Sequence, residues 1–283
     1  MALFNRNRGE EKAEMTFIDH LEELRQHIIR SVIAILVMAA IIFIYRDWVF
    51  DNVITGPINP DFISYRLLCD FSHWAHMGDA LCMPPVTINM QTTTFGGQFL
   101  SSISLALIGG ILIAFPYIFW EFWRFIKPAL KDKELKNTRF IIFWVSFFFF
   151  TGAAFGYFLL GPFTFNFLGS FTLGTKGVLE TRPTLTDYLD NLTNLILGCG
   201  IAFELPVFLI ALNLARVLSG RSILRPWRYA IFGIVLFSAI ATPTGDPLTL
   251  FFLAGPLIIL YLAAGGISLL VDKARAKRNN SDG

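Results

Sequence analysis

Five acidic side chains stand at positions where a carboxylate is costly or conspicuous, and each suggests a chemistry. Glu134 closes the stretch FIKPALKDKE, Phe125 to Glu134, among Lys127, Lys131, Lys133 and Lys136. A carboxylate in such a basic turn is either a receptor for a cation or a solvated charge that softens lysine repulsion. Glu23, in HLEELR, has the same two readings, the plainer being an i,i+4 pair with His27. Two carboxylates on one basic face suit a ligand with two guanidinium groups, because arginine grips carboxylate in a planar, two-pronged way that lysine cannot match. Glu204, in FELP, falls near the middle of an apolar run. An ionisable group in hydrocarbon costs several kcal/mol or is neutralised, so it marks function unless it is protonated and bonded to a neighbouring helix. Gly200, one turn earlier, leaves room beside that carboxylate. Asp246, in PTGDP, is placed to cap the helix that follows. Glu121 lies close enough to the end of its apolar run to snorkel.

Histidines and cysteines offer less. His73 and His76 are three apart but have no third ligand, so no metal is expected; His20 and His27 read as ordinary polar positions. Cys69 and Cys82 would close a loop worth about 3 kcal/mol if they were joined in an oxidising compartment; two free thiols are the alternative. No GxxxxGK[ST] loop and no HExxH motif occurs, and no catalytic pair lies inside the apolar runs. No enzyme, cofactor or nucleic-acid partner is therefore expected.

The elements that must position these groups are membrane spans. Of 283 residues 54% are apolar and only 16% charged, with 30 phenylalanines, whereas soluble chains carry about 25% charge. Thr16 to Arg30 predicts an amphipathic helix with a capping box at Thr16 and Asp19 and a face of Phe17, Leu21, Leu24 and Ile28. Six spans follow at about 28–45, 98–125, 139–160, 188–214, 229–242 and 248–271. Pro116 predicts a kink in the second, and Gly152 and Gly156 a close helix contact in the third. The organisation is an N-terminal segment over 1–27, a membrane domain over 28–271 with outer loops at about 46–94, 161–187 and 243–247, and a basic tail over 272–283. The segment before the first span, the second-to-third and fourth-to-fifth connections and the tail together hold 19 of the 23 lysines and arginines. The positive-inside rule then places both termini in the cytoplasm. Span five has about 14 residues, or about 21 Å of helix against about 30 Å of hydrocarbon, which predicts local thinning of the bilayer near spans five and six.

Several of these stretches together resemble the TatC family, the multi-spanning core of the twin-arginine protein translocase. They are HLEELR (His20 to Arg25), Pro57, FIKPALKDKE, FELP (Phe203 to Pro206) and ATPTGDP (Ala241 to Pro247), in order over about residues 16 to 271. The resemblance implies an all-α cupped bundle of six transmembrane helices in the cytoplasmic (inner) membrane. It implies a receptor for signal peptides with consecutive arginines on folded proteins, working in an oligomeric complex with TatA-like and TatB-like single-span partners under the proton-motive force. It assigns the arginines to Glu23 and Glu134, with Phe125 in the same patch, and makes Arg25 and Pro57 important positions. It turns Glu204 towards the hollow of the cup to meet a partner helix, and places Asp246 in the last outer turn. The chain departs from the family pattern at Glu121, where an uncharged polar residue is expected, at Leu250, at Leu262 and in a long first outer loop. The rival reading is a proton-coupled transporter of a small solute using Glu204, although no internal repeat supports it.

Overall fold

The structure is a computed structural model and describes residues 17–59, 61–74, 76, 78–79, 82, 89–126, 138–171, 182–242 and 247–281. It is all-α. Among the described residues the only β-type pairing is an isolated bridge between Gln91 and Thr184. Eleven α-helices are described: α1 Phe17–Ile44, α2 Arg46–Val49, α3 Ile63–Trp74, α4 Gly97–Ile126, α5 Thr138–Phe155, α6 Gly161–Ser170, α7 Leu185–Ala202, α8 Leu205–Leu214, α9 Gly220–Leu224, α10 Trp227–Ala241 and α11 Pro247–Ser281. Leu21–Ile44, Gly97–Ile126, Ile141–Ser170, Leu185–Leu214 and Thr249–Lys277 are each long and apolar enough to cross a membrane. The shorter α10, at 15 residues, is the sixth apolar helix. Large apolar side chains face outward along these helices, Phe232, Ile240, Phe251 and Ile259 among them. Hydrocarbon solvates such a surface, and helices satisfy their own backbone within it.

The amphipathic segment and the first span form one unbroken helix, α1. It lies antiparallel to α4: His27 meets Glu121 near one end, Ile42 packs over Gly109, and Phe43 meets Phe99 towards the other. At Gly110 a Cβ would sit 2.8 Å from the carbonyl oxygen of Ile35, so the glycine is what allows this approach. The predicted use of Gly152 and Gly156 is seen against α7, where a Cβ on Gly156 would come within 2.6 Å of the Leu195 carbonyl oxygen. The third span does not end at Leu160 as the sequence suggests. It passes through a π-turn, Gly156–Leu160, into α6, because Gly161 and Pro162 fall in the first turn of a helix, where the proline needs no amide donor. The first outer loop is likewise partly helical, through α2, the turns Phe50–Ile54 and Gly56–Ile58, and α3.

The tail is a second departure. α11 continues to Ser281, so residues 272–281 of the basic tail are helical and continuous with the last span. Asp272 accepts hydrogen bonds from Asn213 Nδ2 at 3.0 Å and the Gly220 amide at 2.7 Å. Arg275 donates to the carbonyl oxygens of Asn213 at 3.0 Å and Leu214 at 3.1 Å. A cation thus meets the carbonyls at the end of α8, where the Asn213 oxygen also accepts from the Arg216 amide at 3.0 Å, as a helix C-terminus favours.

Candidate functional site

The predicted intramembrane and receptor residues that the structure describes fall mainly at two places. The first is the end of the α1/α4 pair where α1 begins. Glu121 is 1% exposed there, so it does not snorkel. Its side chain points from α4 into the contact with α1, and it survives because two hydrogen-bonding groups and two guanidinium groups surround it. His27 Nδ1 lies 2.5 Å from Oε2, and the Tyr117 hydroxyl, one turn earlier on α4, also bonds the carboxylate. Arg124 Nη1 is 3.7 Å from Oε1 and Arg30 Nη1 4.0 Å from Oε2. His27 is buried too, so its reading as an ordinary polar position is also corrected. Sequence inspection missed this cluster. The signal it held was a repeated spacing: His27 and Arg30, and Glu121 and Arg124, are each three apart on a helix face.

Glu23 lies one turn before His27 on α1. It does not take the i,i+4 pair, because His27 is held by Glu121. Its Oε2 is buried and has no hydrogen-bond partner among the described residues. Phe125 sits beside the cluster, its ring 6.3 Å from the His27 ring in an edge contact. Arg25 is exposed on α1. Glu134 and the lysines around it, from Lys127 to Lys136, lie outside the described residues, as does Asp246.

The second place is the fourth span. It is broken between α7 and α8, where Phe203 and Glu204 form a turn and Pro206 falls in the first turn of α8. Proline brings no amide donor, so the helix restarts there instead of running on. Glu204 occupies the N-cap position of α8, yet its side chain makes no capping bond. Its Oε1 is buried without a hydrogen-bond partner, and the carboxyl meets the backbone of Phe149. Gly200 does not leave an open space beside it: the Phe149 ring fills that position, 2.8 Å from where a Cβ would stand.

On the far side from Glu121, Pro57 is buried in the turn Gly56–Ile58. Three tyrosines hold this segment by its carbonyls: Tyr157 to Val53 at 2.5 Å, Tyr188 to Ile54 at 2.6 Å and Tyr65 to Pro57 at 2.8 Å. Burial pushes the Tyr65 hydroxyl up to about 12, so it remains a donor at every physiological pH. Cys69 and Cys82 are joined by a disulfide. The two outer-loop histidines make different contacts, His73 with Asp79 and His76 with the carbonyl of Trp74.

These features define a polytopic helical membrane protein with a buried ion cluster at the end of one helix pair and a carboxylate at a helix break. The family model for the Sec-independent protein translocase protein TatC matches residues 19–256. The chain belongs to the TatC family. It is 36% identical over 266 residues to the Sec-independent protein translocase protein TatC of Blattabacterium sp. subsp. Periplaneta americana, covering 94% of this chain and 99% of that one. It is 31% identical to the TatC of Deinococcus radiodurans, covering 89% and 84%. Among solved structures it is similar to a crystal structure of the twin-arginine translocase receptor TatC, with a TM-score of 0.65 and 28% identity, covering 89% of this chain and 98% of that chain. A second crystal structure of that receptor, in DDM, gives a TM-score of 0.66 at the same identity. The protein is thus a component of a Sec-independent protein translocase.

Proposed function

We propose that this chain is the signal-peptide receptor of its translocase, binding consecutive arginines through Glu23 and Glu134 with Phe125 and Arg25 in the same patch. The observation that carries the reading is the contrast around α1. Two resident guanidinium groups, those of Arg30 and Arg124, and one imidazole converge on Glu121, while a buried oxygen of Glu23 one turn away is left without a partner. An unpaired buried acceptor costs about 1–3 kcal/mol or more, and an incoming guanidinium recovers that cost. Membership in a translocase family sets the small-solute transporter reading aside.

In this reading the basic connections and both termini are cytoplasmic and the membrane is the inner membrane. Glu204 and Pro57, with Asp246, serve the meeting with TatA-like and TatB-like single-span partners in an oligomeric complex driven by the proton-motive force. The test is binding of a labelled signal peptide carrying Arg-Arg, beside a Lys-Lys twin, to the purified protein in detergent and to its Glu134→Ala variant. Tight binding of the first alone, and its loss in the variant, is the expected result. Equal, weak binding of both peptides would end the assignment.

A further inference from the structure

The segment that follows α3 brings together side chains the receptor reading does not use. From sequence, His73 has only His76 as a companion. Folding supplies other donors instead. Cys69 and His73 are four apart on α3 and so share one face, the spacing by which helices present two metal ligands. The chain then turns back through Gly78, whose φ of +62° a glycine adopts without strain. The Ser72 hydroxyl fixes that turn by donating to the Gly78 carbonyl at 2.6 Å, and the Cys82 amide donates to the Asp79 carbonyl at 3.0 Å. As a result Cys82 Sγ lies 3.8 Å and Asp79 Oδ1 2.9 Å from His73 Nε2. The donor atoms of Cys69, His73 and Cys82 all fall within 4.8 Å of one another. Around a tetrahedral zinc ion, with Zn–S near 2.3 Å and Zn–N or Zn–O near 2.0–2.2 Å, donors stand about 3.4–3.8 Å apart.

We propose that the dithiol form of this segment is a zinc site, with Cys69, Cys82 and His73 as ligands and Asp79 as the fourth. The disulfide and the metal site are mutually exclusive states of the same two sulfurs. Reduction by a phosphine in water cleaves the S–S bond, gives two thiols and oxidises the phosphine to its oxide. The thiols then release two protons to the buffer as two S–Zn bonds form. The disulfide state belongs to an oxidising compartment, and the zinc state to a chain whose thiols have not yet been oxidised or have been reduced again by a dithiol. The pairing of thiolates with imidazole and carboxylate selects a thiophilic ion over calcium or magnesium.

The experiment uses the full chain in detergent, reduced with phosphine, freed of excess reductant and titrated with Co²⁺ and then Zn²⁺. One equivalent of Co²⁺ with a thiolate-to-metal absorption band, displaced by Zn²⁺, is expected. So is protection of two thiols from maleimide that a chelator reverses. The buried Cys199, away from this segment, serves as the internal reference thiol. Oxidised protein and Cys69→Ser should lose the band. His73→Ala changes an exposed side chain and should weaken affinity at least tenfold without changing the fold. Reduced protein that takes up no stoichiometric metal, or that binds equally after Cys69→Ser or His73→Ala, overturns the proposal.

Discussion

Glu121 is a buried carboxylate inside an apolar helix and Glu204 a half-buried one at a helix break, and the protein treats them in opposite ways. Glu121 is enclosed by His27, Tyr117, Arg30 and Arg124, which use its acceptor capacity inside the fold. Glu204 stands at a break in the fourth span with Oε1 unpartnered, and Glu23, beside the saturated cluster, shares that condition at Oε2. A charge taken out of water must be matched by donors, either its own or borrowed. The difference separates carboxylates that hold the bundle together from carboxylates kept for something that arrives. Glu121 belongs to the first kind, since its charge comes with its own counter-charges.

The comparison makes unequal demands on variants. The largest effect is expected at Glu121→Ala, which leaves His27 facing a void and two arginines without their counter-charge. Breaking a buried pair costs about 3–5 kcal/mol, and thermal unfolding in detergent should show a correspondingly lower Tm. An unchanged Tm would break the comparison at its strongest point. Next is Glu23→Ala, whose effect falls on binding. Hydrogen bonds to charged groups contribute about 1.5–3 kcal/mol, so affinity for an Arg-Arg peptide should drop roughly 10- to 150-fold, while stability to unfolding should match or exceed that of wild type because an unpaired acceptor is removed.

Tyr65→Phe probes the opposite end, where neutral hydroxyl-to-carbonyl bonds replace charge pairs, and should cost about 1 kcal/mol. The sign with pH follows from its raised hydroxyl. A phenol near 10 when unfolded and pushed up to about 12 when folded contributes stability that is complete below pH 10 and lost as pH rises towards 12. Unfolding measured from pH 8 to 12 should show that loss in wild type and less of it in Tyr65→Phe. The smallest effect on stability is expected at Glu204→Gln, which alters a carboxyl whose Oε1 the fold leaves unpartnered. Its Tm should match or exceed that of wild type, while co-purification with a single-span partner falls.

Much of this was legible in the sequence. The apolar runs located the five long spans and the shorter sixth helix, though not the start of the first span or the end of the third, and Gly152 and Gly156 announced the α5/α7 approach, because hydropathy and small-residue spacing are local signals. What escaped was the register between distant helices. Nothing in a sequence says that residue 27 meets residue 121, so Glu121 read as a snorkelling charge and His27 as incidental. The extension of the third span into α6 was hidden because Gly161 and Pro162 read as a loop, although proline also suits the first turn of a helix. Glu204 stood out from its neighbours alone, but the Phe149 ring that fills the space at Gly200 comes from another span. Glu134 and Asp246 rest on sequence and resemblance, since both lie outside the described residues.

One measurement bears most directly on the division between saturated and unpartnered carboxylates. It is the equilibrium affinity of an Arg-Arg signal peptide for Glu23→Ala and for Glu121→Gln, each compared with wild type at equal folded fraction. The account predicts a loss of at least tenfold for Glu23→Ala and less than threefold for Glu121→Gln. Equal losses, or a larger loss at Glu121, would contradict it, because the saturated carboxylate would then be the one that receives the arginines.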